Sequence, residues 1–384
     1  MKNQIERERE KESLRRSFAL TLLLFVLLLV FPLGAAPLVA QRVSGGGGTI
    51  LIGTYAQSIF VVDEATLTVR DTIPVSIGIP TGFGLSSDRK RIYVTDATYE
   101  NVEIIDLATR AATGRFTLSE GNRKVRMFGL NLDPRERFAV LLVKTYEKKI
   151  DRFEISLPTL LRYDLATKTV TDTIPWPKGE VREGARILFS PDGSLLYFFT
   201  ADDILIYETA GMKQVDRWDL GQALEPGMGR FNFGFPDDLY EEPGFYSGMF
   251  RVTDPVQNRT MMGVARVNLV AKSVDFYTLG PTQPVSFSIA PDGRKAYGLR
   301  QQVGNYEFWV FDLENRRVQG RTPFPGRPRM QLTPSSNGRY LYVHGAGSTI
   351  DVYDAQTFRL LRTVSLGADM TEWLLLPPAG SRRR

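Results

Sequence analysis

The chain has 384 residues, 43% of them hydrophobic, with 34 Gly, 22 Pro, one His and no Cys. The absence of cysteine excludes disulfides, thiolate metal sites, cysteine nucleophiles and covalently attached c-type haem. The formal net charge of +5 comes from the two ends, because residues 1–16 contribute +2 and Arg382–Arg384 contribute +3. The body is neutral, so a nucleic-acid partner is not predicted.

The N-terminus has the layout of an export segment. Charged residues 1–16 precede an apolar run from Phe18 to Leu33, and small residues follow from Gly34 to Ala40. This order is typical of a secretory signal, with cleavage expected after Ala40. The alternative is an uncleaved signal anchor formed by residues 18–40, which are long enough to span a bilayer. Either interpretation exports the rest of the chain to the periplasm or beyond.

Seven copies of one short pattern follow. In each copy, two or three apolar residues lead into a polar residue, usually Asp, before a turn and another apolar strand. The polar residues are Asp63, Asp106, Asp164, Glu208, Asn268, Asp312 and Asp354, which stand 43, 58, 44, 60, 44 and 42 residues apart. This period is typical of a propeller blade. The sequence therefore predicts an all-β, seven-bladed β-propeller with four-stranded blades, preceded by an N-terminal export helix.

The predicted organisation has four parts: a signal peptide or anchor at 1–40, a Gly-rich flexible linker at 41–48, the propeller at 49–378 and a basic tail at 379–384. Six complete blades are predicted at 79–121, 124–179, 181–222, 226–280, 281–326 and 327–368. Residues 50–76 supply only three strands, and Thr371 to Leu376 form an apolar strand without a blade. We expect that strand to complete the first blade, which removes the free edges of the ring.

Two blades are longer than the others. The third carries the charged segment Lys144 to Leu157, and the fifth carries Pro236 to Phe245 and Asp254 to Met261. Insertions in repeat folds usually lie in loops, often on the binding face. These segments are therefore predicted to be loops that contribute to specificity.

Several motifs resemble those of a known class of propellers. The turn Ser190-Pro191-Asp192-Gly193, the strand Tyr93-Val94-Thr95-Asp96 and the Asp-x-x-Thr turns resemble the YVTN repeat propellers. Residues 49–378 are also similar to the heavy-chain propeller of quinoprotein amine dehydrogenases. In those enzymes the quinone cofactor lies in a separate Cys-rich small subunit. The resemblance therefore implies a scaffold, and no cofactor is predicted.

Two sets of polar residues are candidates for metal binding or acid/base chemistry. His344 is the only histidine, and only carboxylates could join it in a metal site, so we interpret it as the polar end of a strand. The aspartates of the repeated pattern occur once per blade and hence far apart around the ring. We interpret them as caps of their own turns rather than as a calcium or acid/base array. No phosphate-binding loop, nucleophile elbow or zincin motif occurs.

A set of arginines is the remaining candidate site. Arg126, Arg186, Arg230 and Arg329 lie at or near the starts of predicted inner strands, with Arg123, Lys124, Arg182 and Arg327 close by. Inner strands line the central channel and their starts share one mouth. The pattern predicts an electropositive funnel for an anionic small molecule or an acidic peptide. The alternative is a set of solvated loop arginines paired with neighbours such as Glu183.

These features favour an exported, non-catalytic propeller that serves as a binding or protein-interaction scaffold in the cell envelope. The expected partner is a protein or an anionic small molecule, with membrane contact only through an N-terminal anchor. Three alternatives stay open. A scaffold subunit of a periplasmic dehydrogenase requires a small cofactor-bearing subunit, and a lactonase-like hydrolase requires metal or acid/base residues at the channel mouth. The third is a tethered envelope protein that contacts wall polymer.

Overall fold

The computed structural model describes residues 44–378 except 201–202, 221–226, 230, 235–238, 242 and 346. Its strands form seven antiparallel sheets, one for each blade. The only helical element among the described residues is the short 3-10 turn Pro177–Gly179. Within this part of the chain, no helix is long and apolar enough to cross a membrane. The predicted export helix lies outside the described residues.

The strands of the first three blades follow the order of the repeats. Blade 1 contains β1 (Thr49–Thr54), β2 (Ser58–Asp63), β3 (Thr68–Pro74) and the last strand of the chain, β29 (Met370–Leu376). Blade 2 contains β4 (Pro80–Leu85), β5 (Arg91–Asp96), β6 (Asn101–Asp106) and β7 (Ala111–Thr117). Blade 3 contains β8 (Arg123–Leu132), β9 (Phe138–Lys148), β10 (Phe153–Ile155), β11 (Thr159–Asp164) and β12 (Thr169–Ile174).

The other four blades have four strands each. Blade 4 contains β13 (Arg186–Phe189), β14 (Leu195–Phe199), β15 (Asp203–Glu208) and β16 (Lys213–Asp219). Blade 5 contains β17 (Phe231–Phe233), β18 (Phe245–Asp254), β19 (Arg259–Asn268) and β20 (Ser273–Pro281). Blade 6 contains β21 (Ser288–Ile289), β22 (Lys295–Gln302), β23 (Asn305–Asp312) and β24 (Arg317–Pro323). Blade 7 contains β25 (Gln331–Pro334), β26 (Tyr340–His344), β27 (Thr349–Asp354) and β28 (Leu360–Ser365). The predicted seven-bladed propeller is confirmed.

The hydrophobic core lies between neighbouring blades. The second strand of a blade is buried on both faces, so Ile92, Tyr93 and Val94 of β5 are all inaccessible to solvent. The outermost strand, such as β7, is mostly exposed. A continuous apolar run in a middle strand is therefore expected, because each blade packs against two others. This explains why the repeats contain short apolar runs rather than strict alternation.

The repeated aspartates cap the turns between the third and fourth strands. Asp106 accepts hydrogen bonds from the Thr109 backbone N–H at 2.8 Å and hydroxyl at 2.9 Å. Asp354 makes the same contacts with Thr357 at 2.7 and 2.9 Å. The hydrogen bonds from Thr109 hold the pKa of Asp106 below its ordinary value. The interpretation as turn caps is confirmed for these residues.

The last strand completes the first blade. β29 pairs with β1 in antiparallel register, with Ile52 opposite Trp373 and Leu51 opposite Leu374. Leu375 is 2% exposed. The predicted joining of the chain's two ends is confirmed, and β1 has a partner on both sides because β2 pairs with its other edge.

A buried carboxylate reinforces the junction of blades 1 and 7. Glu64 is fully buried and accepts hydrogen bonds from the backbone N–H groups of Gly48 at 2.8 Å and Ser336 at 2.7 Å. The Tyr342 hydroxyl donates to the same carboxylate at 3.3 Å. Gly45 packs so closely that a Cβ there would lie 1.5 Å from the Tyr342 hydroxyl oxygen. Residues 44–48, which composition predicts to be a flexible linker, are therefore bound specifically to blade 7.

The insertions of the two longer blades lie at both ends of the propeller. We call the end that carries the turns between first and second strands the A–B end, and the other the B–C end. Blade 5 has two insertions. The first, within Pro236 to Phe245, lies at the A–B end, where the buried Tyr240 donates to the carbonyl of Pro334 in blade 7 at 3.4 Å. The second, Asp254 to Met261, is the hairpin between β18 and β19 at the B–C end. The insertion of blade 3 lies at the B–C end and is largely a strand extension, since β9 pairs with β8 on one edge and with β10 on the other. The prediction of plain loops is wrong for blade 3.

Ending the chain after Asp369 removes β29 and should lower the thermal midpoint by more than about 10 °C or prevent folding, because β1 loses its partner and a sheet edge opens. The matched control ends after Pro378 and keeps the whole strand. Circular dichroism melting of both proteins tests this expectation. Equal midpoints would show that closure contributes little to stability.

Replacing Glu64 by Ala should cost about 3 kcal/mol of unfolding free energy, since several buried donors lose a charged acceptor at once. The control Glu314→Ala removes an exposed surface carboxylate and should change stability by less than about 0.5 kcal/mol. Urea unfolding measures both effects, and limited proteolysis reports whether residues 44–48 are released. A Glu64→Ala protein as stable as the control would contradict the role assigned to this carboxylate.

Candidate functional site

A cavity of about 520 Å³ lies among blades 4, 5 and 6. Its wall combines arginine, amide and hydroxyl groups with aromatic and thioether side chains. The lining residues are Arg186, Asn232, Phe233, Gly234, Met249, Phe250, Arg251, Met262, Gln283, Val285, Ser286 and Phe287. A concave, mostly apolar wall with a few polar groups is typical of a small-molecule site.

Arg186 enters this cavity from the start of β13. Its Nη1 donates to the Phe233 carbonyl at 2.8 Å, which ties blade 4 to the inner strand of blade 5. The guanidinium also lies 6.0 Å from the centre of the Phe199 ring. Burial lowers the pKa of Arg186 below its ordinary value. A cation in poorly hydrated surroundings gains more from an anionic ligand than a solvated one does.

Three side chains of blade 5 form a row in the cavity wall. Asn232 lies opposite Arg251 in the pairing of β17 with β18, and Arg251 lies opposite Met262 in the pairing of β18 with β19. Directly opposed residues of antiparallel strands share one face of the sheet, so the row presents an amide, a guanidinium and a thioether together. Arg251 is exposed and makes no ion pair among the described residues. Its positive charge is therefore not neutralised by a described residue.

Blade 6 supplies the remaining polar groups. Gln283 and Ser286 lie in the stretch before β21, beside Val285 and Phe287. A Cβ on Gly298 would lie 2.2 Å from the Ser286 carbonyl oxygen, so glycine allows this stretch to pack closely on β22. The described lining residues contain no carboxylate and no imidazole. The cavity thus offers hydrogen-bond donors and positive charge beside an apolar surface.

The predicted arginines are distributed over more than one surface. Arg186 lines the cavity, whereas Arg126 lines a second concavity on the extension of blade 3. Arg329 is exposed in a turn with φ of 61° before β25. Arg230 lies outside the described residues. Arg327 instead pairs with Asp351 at 2.9 Å, as the alternative interpretation expects.

Neither Arg251, Gln283 nor the apolar wall of the cavity is predicted from the sequence. Arg251 lies in the second strand of the most divergent blade, where no turn motif fixes the register. The alternation of Met249, Arg251 and Thr253 with the buried Phe250 and Val252 was the available signal. That alternation could place Arg251 on the less buried face, but it could not show that blades 4 and 6 approach it.

His344 is a buried structural residue. It is 1% exposed, and its ring stacks on Trp373 of β29 with 3.9 Å between ring centres. Its Nε2 lies 3.0 Å from the Thr333 hydroxyl. Burial lowers the pKa of His344 to about 3, so the ring is neutral at physiological pH. No group of three metal-ligating side chains occurs in the described part of the chain.

Comparison with solved structures shows the same fold. The chain is similar to the dihydro-heme d1 dehydrogenase NirN in complex with DHE, with a TM-score of 0.52, 13% identity and coverage of 86% of this chain and 75% of that chain. It is also similar to a functionally unknown protein from Desulfotomaculum acetoxidans DSM 771, with a TM-score of 0.53, 15% identity and coverage of 87% and 100%. No protein-family model and no curated protein matches the sequence. At these identities the likeness establishes the fold alone, and membership of the YVTN repeat propellers stays a prediction.

Because His344 is the only histidine, its titration can be isolated. The unfolded residue has a pKa of about 6.5 and the folded one about 3, so only the unfolded state takes up this proton as the pH falls below 6.5. The contribution of His344 to the free energy of unfolding should therefore fall by about 1.4 kcal/mol for each pH unit below 6.5.

The variant His344→Phe keeps an aromatic ring against Trp373 and removes the titrating group. Urea unfolding between pH 7.5 and 5 should show a smaller loss of stability for the variant than for the parent protein. Identical pH dependences would mean that His344 is not held neutral by folding.

Proposed function

We propose that this protein is an exported propeller, of the YVTN type, that binds an anionic small molecule with an apolar body in the cavity among blades 4, 5 and 6. The observation that carries the proposal is the pairing of Arg186 and Arg251 with a wall of Phe and Met side chains. A guanidinium suits a carboxylate or phosphate because it donates in a planar fork. The apolar wall suits the rest of the ligand.

Two further observations support binding rather than catalysis. The described lining offers donors without a carboxylate or imidazole to act as general base, and acid/base catalysis needs such a group within hydrogen-bond reach of the reacting proton. The signal-like segment at residues 1–40 supports export to the envelope. A scaffold that presents a captured ligand or joins a larger envelope assembly fits both.

The test uses the full chain and a panel of aliphatic and aromatic carboxylates and phosphate esters, each with its neutral amide or alcohol. Anionic members should raise the thermal midpoint, and their neutral counterparts should not. Arg186→Ala and Arg251→Ala should each weaken binding at least about tenfold, as expected for a charged hydrogen bond worth about 1.5–3 kcal/mol. Arg251→Ala is the cleaner variant because Arg251 is exposed.

Arg135→Ala is the matched control, since Arg135 is an exposed arginine in the turn between β8 and β9, at the A–B end. It should bind every panel member like the parent protein. Equal binding of acids and neutral counterparts, or unchanged binding by both cavity variants, would overturn the proposal. Turnover of a lactone by the parent protein would favour the hydrolase alternative instead.

A further inference from the structure

The extension of blade 3 has two chemically different faces. In the pairing of β9 with β10, Phe153 lies opposite Lys148 and Ile155 opposite Tyr146, while Glu154 lies opposite Glu147. In the pairing of β8 with β9, Lys124 lies opposite Tyr146. Directly opposed residues share a face, so the strand alternation separates two sets of side chains. We call the set formed by Lys124, Arg126, Tyr146, Lys148, Phe153 and Ile155 the cationic face.

The other face of the extension satisfies its own charges. Lys149 pairs with Glu154 at 3.6 Å, and Arg152 pairs with Glu154 at 2.6 Å and with Asp151 at 3.1 Å. Lys149 also contacts Glu147. Carboxylates and cations therefore alternate there in a closed network, which leaves little net field for a partner.

The cationic face is compensated only in part. Lys124 pairs with Glu100 of blade 2 at 3.6 Å, but Lys148 and Arg126 form no ion pair among the described residues. The Arg126 guanidinium lies over the Tyr146 ring at 4.8 Å, and its Nε is buried without a hydrogen-bond partner. Deeper on the same side, Lys144 pairs with Glu183 at 3.0 Å. The outer part of the face thus has a positive charge that no described residue neutralises.

Apolar side chains are exposed on the same surface. Phe153 is 65% exposed and Ile155 is 58% exposed, and they border a concavity of about 520 Å³ with Tyr146 and Lys148. Large apolar groups gathered beside unpaired cations mark an interaction surface rather than a solvated face. The positive charges favour an acidic partner. The exposed side chains of Phe153 and Ile155 favour a partner with apolar residues next to its acidic ones.

The edge of β10 indicates the form of that partner. β10 is fully exposed and pairs only with β9 among the described strands, so its outer edge has free backbone donors and acceptors. An extended peptide added to this edge would place alternate side chains beside Phe153 and Ile155, on the side of the sheet that carries Lys148. We propose that the cationic face binds an acidic segment of another protein, which adds to β10 as a strand with acidic and apolar residues alternating on one side.

The position of the face favours a protein over a lipid surface. The extension lies at the B–C end, whereas Ser44 enters the domain at the A–B end, where its carbonyl accepts a hydrogen bond from the Asn337 side chain at 2.7 Å. Any membrane tether that precedes Ser44 joins the domain at the end opposite to the cationic face. A partner at the B–C end is therefore directed away from that point of attachment.

A random twelve-residue peptide library, displayed on phage and selected on the full chain, tests the proposal. The enriched peptides should be acidic, with apolar residues two positions from the acids. A synthetic peptide from the enriched pool should bind at least about tenfold more weakly to Lys148→Glu and to Phe153→Ser, and more weakly as salt is raised. A proline at its centre should abolish binding, because a strand bond is lost.

Lys213→Glu is the matched control, because Lys213 is an exposed lysine on β16, at the A–B end of blade 4, away from the cationic face. It should bind the peptide like the parent protein, and melting curves confirm that all three variants fold. A photo-crosslinker placed at position 153 should label the peptide. An enriched pool without acidic bias, or equal binding to Lys148→Glu, would overturn the proposal. So would tighter binding to phosphatidylglycerol vesicles, with the same loss in Lys148→Glu, which would identify the face as a lipid site.

Discussion

The pairing of β1 with β29 is the contact on which the rest of the molecule depends. A propeller has no central core, since each blade is stabilised mainly by apolar contacts with its two neighbours. If one blade lacked its inner strand, the ring would have an open edge, and both adjoining interfaces would be exposed to water. The chain avoids this by using residues from its two ends in one sheet. Closure of the ring therefore joins seven sheets, none of which has a core of its own, into one domain.

Glu64 shows how local polar chemistry strengthens that closure. Burying a carboxylate is costly unless donors surround it, and here the donors come from the start of the domain and from blade 7. The arrangement can form only when residues 44–48, blade 1 and blade 7 are together. The glycines of this segment are required by the space available, since a side chain at Gly45 would collide with Tyr342. Composition suggests a spacer, but packing makes the segment part of the fold.

The blades could be predicted from the sequence because each one repeats the same short-range interactions. Asp106 and Asp354 cap equivalent turns, and a side chain that bonds to the backbone three residues later is visible in sequence. The binding surfaces were harder to predict, because they depend on contacts between blades. The position of Arg186 at the start of a strand predicts that it faces the channel. The cavity, however, is completed by Arg251 and Gln283 from two other blades. The sequence predicts a loop for the extension of blade 3, because its many charged residues hide the strand alternation of Tyr146 and Lys148 with Glu147.

The distribution of charge explains how a neutral body can offer two cationic surfaces. At turns and outer strands, cations are paired with carboxylates, as in Arg137 with Asp133 and Arg266 with Glu241. Arg251 and Lys148 have no ion pair among the described residues, and each borders a concavity with apolar side chains. Local fields, rather than net charge, determine what approaches a protein within a Debye length. The extension of blade 3 and the start of β13 both lie at the B–C end, so the two surfaces belong to the same end of the propeller.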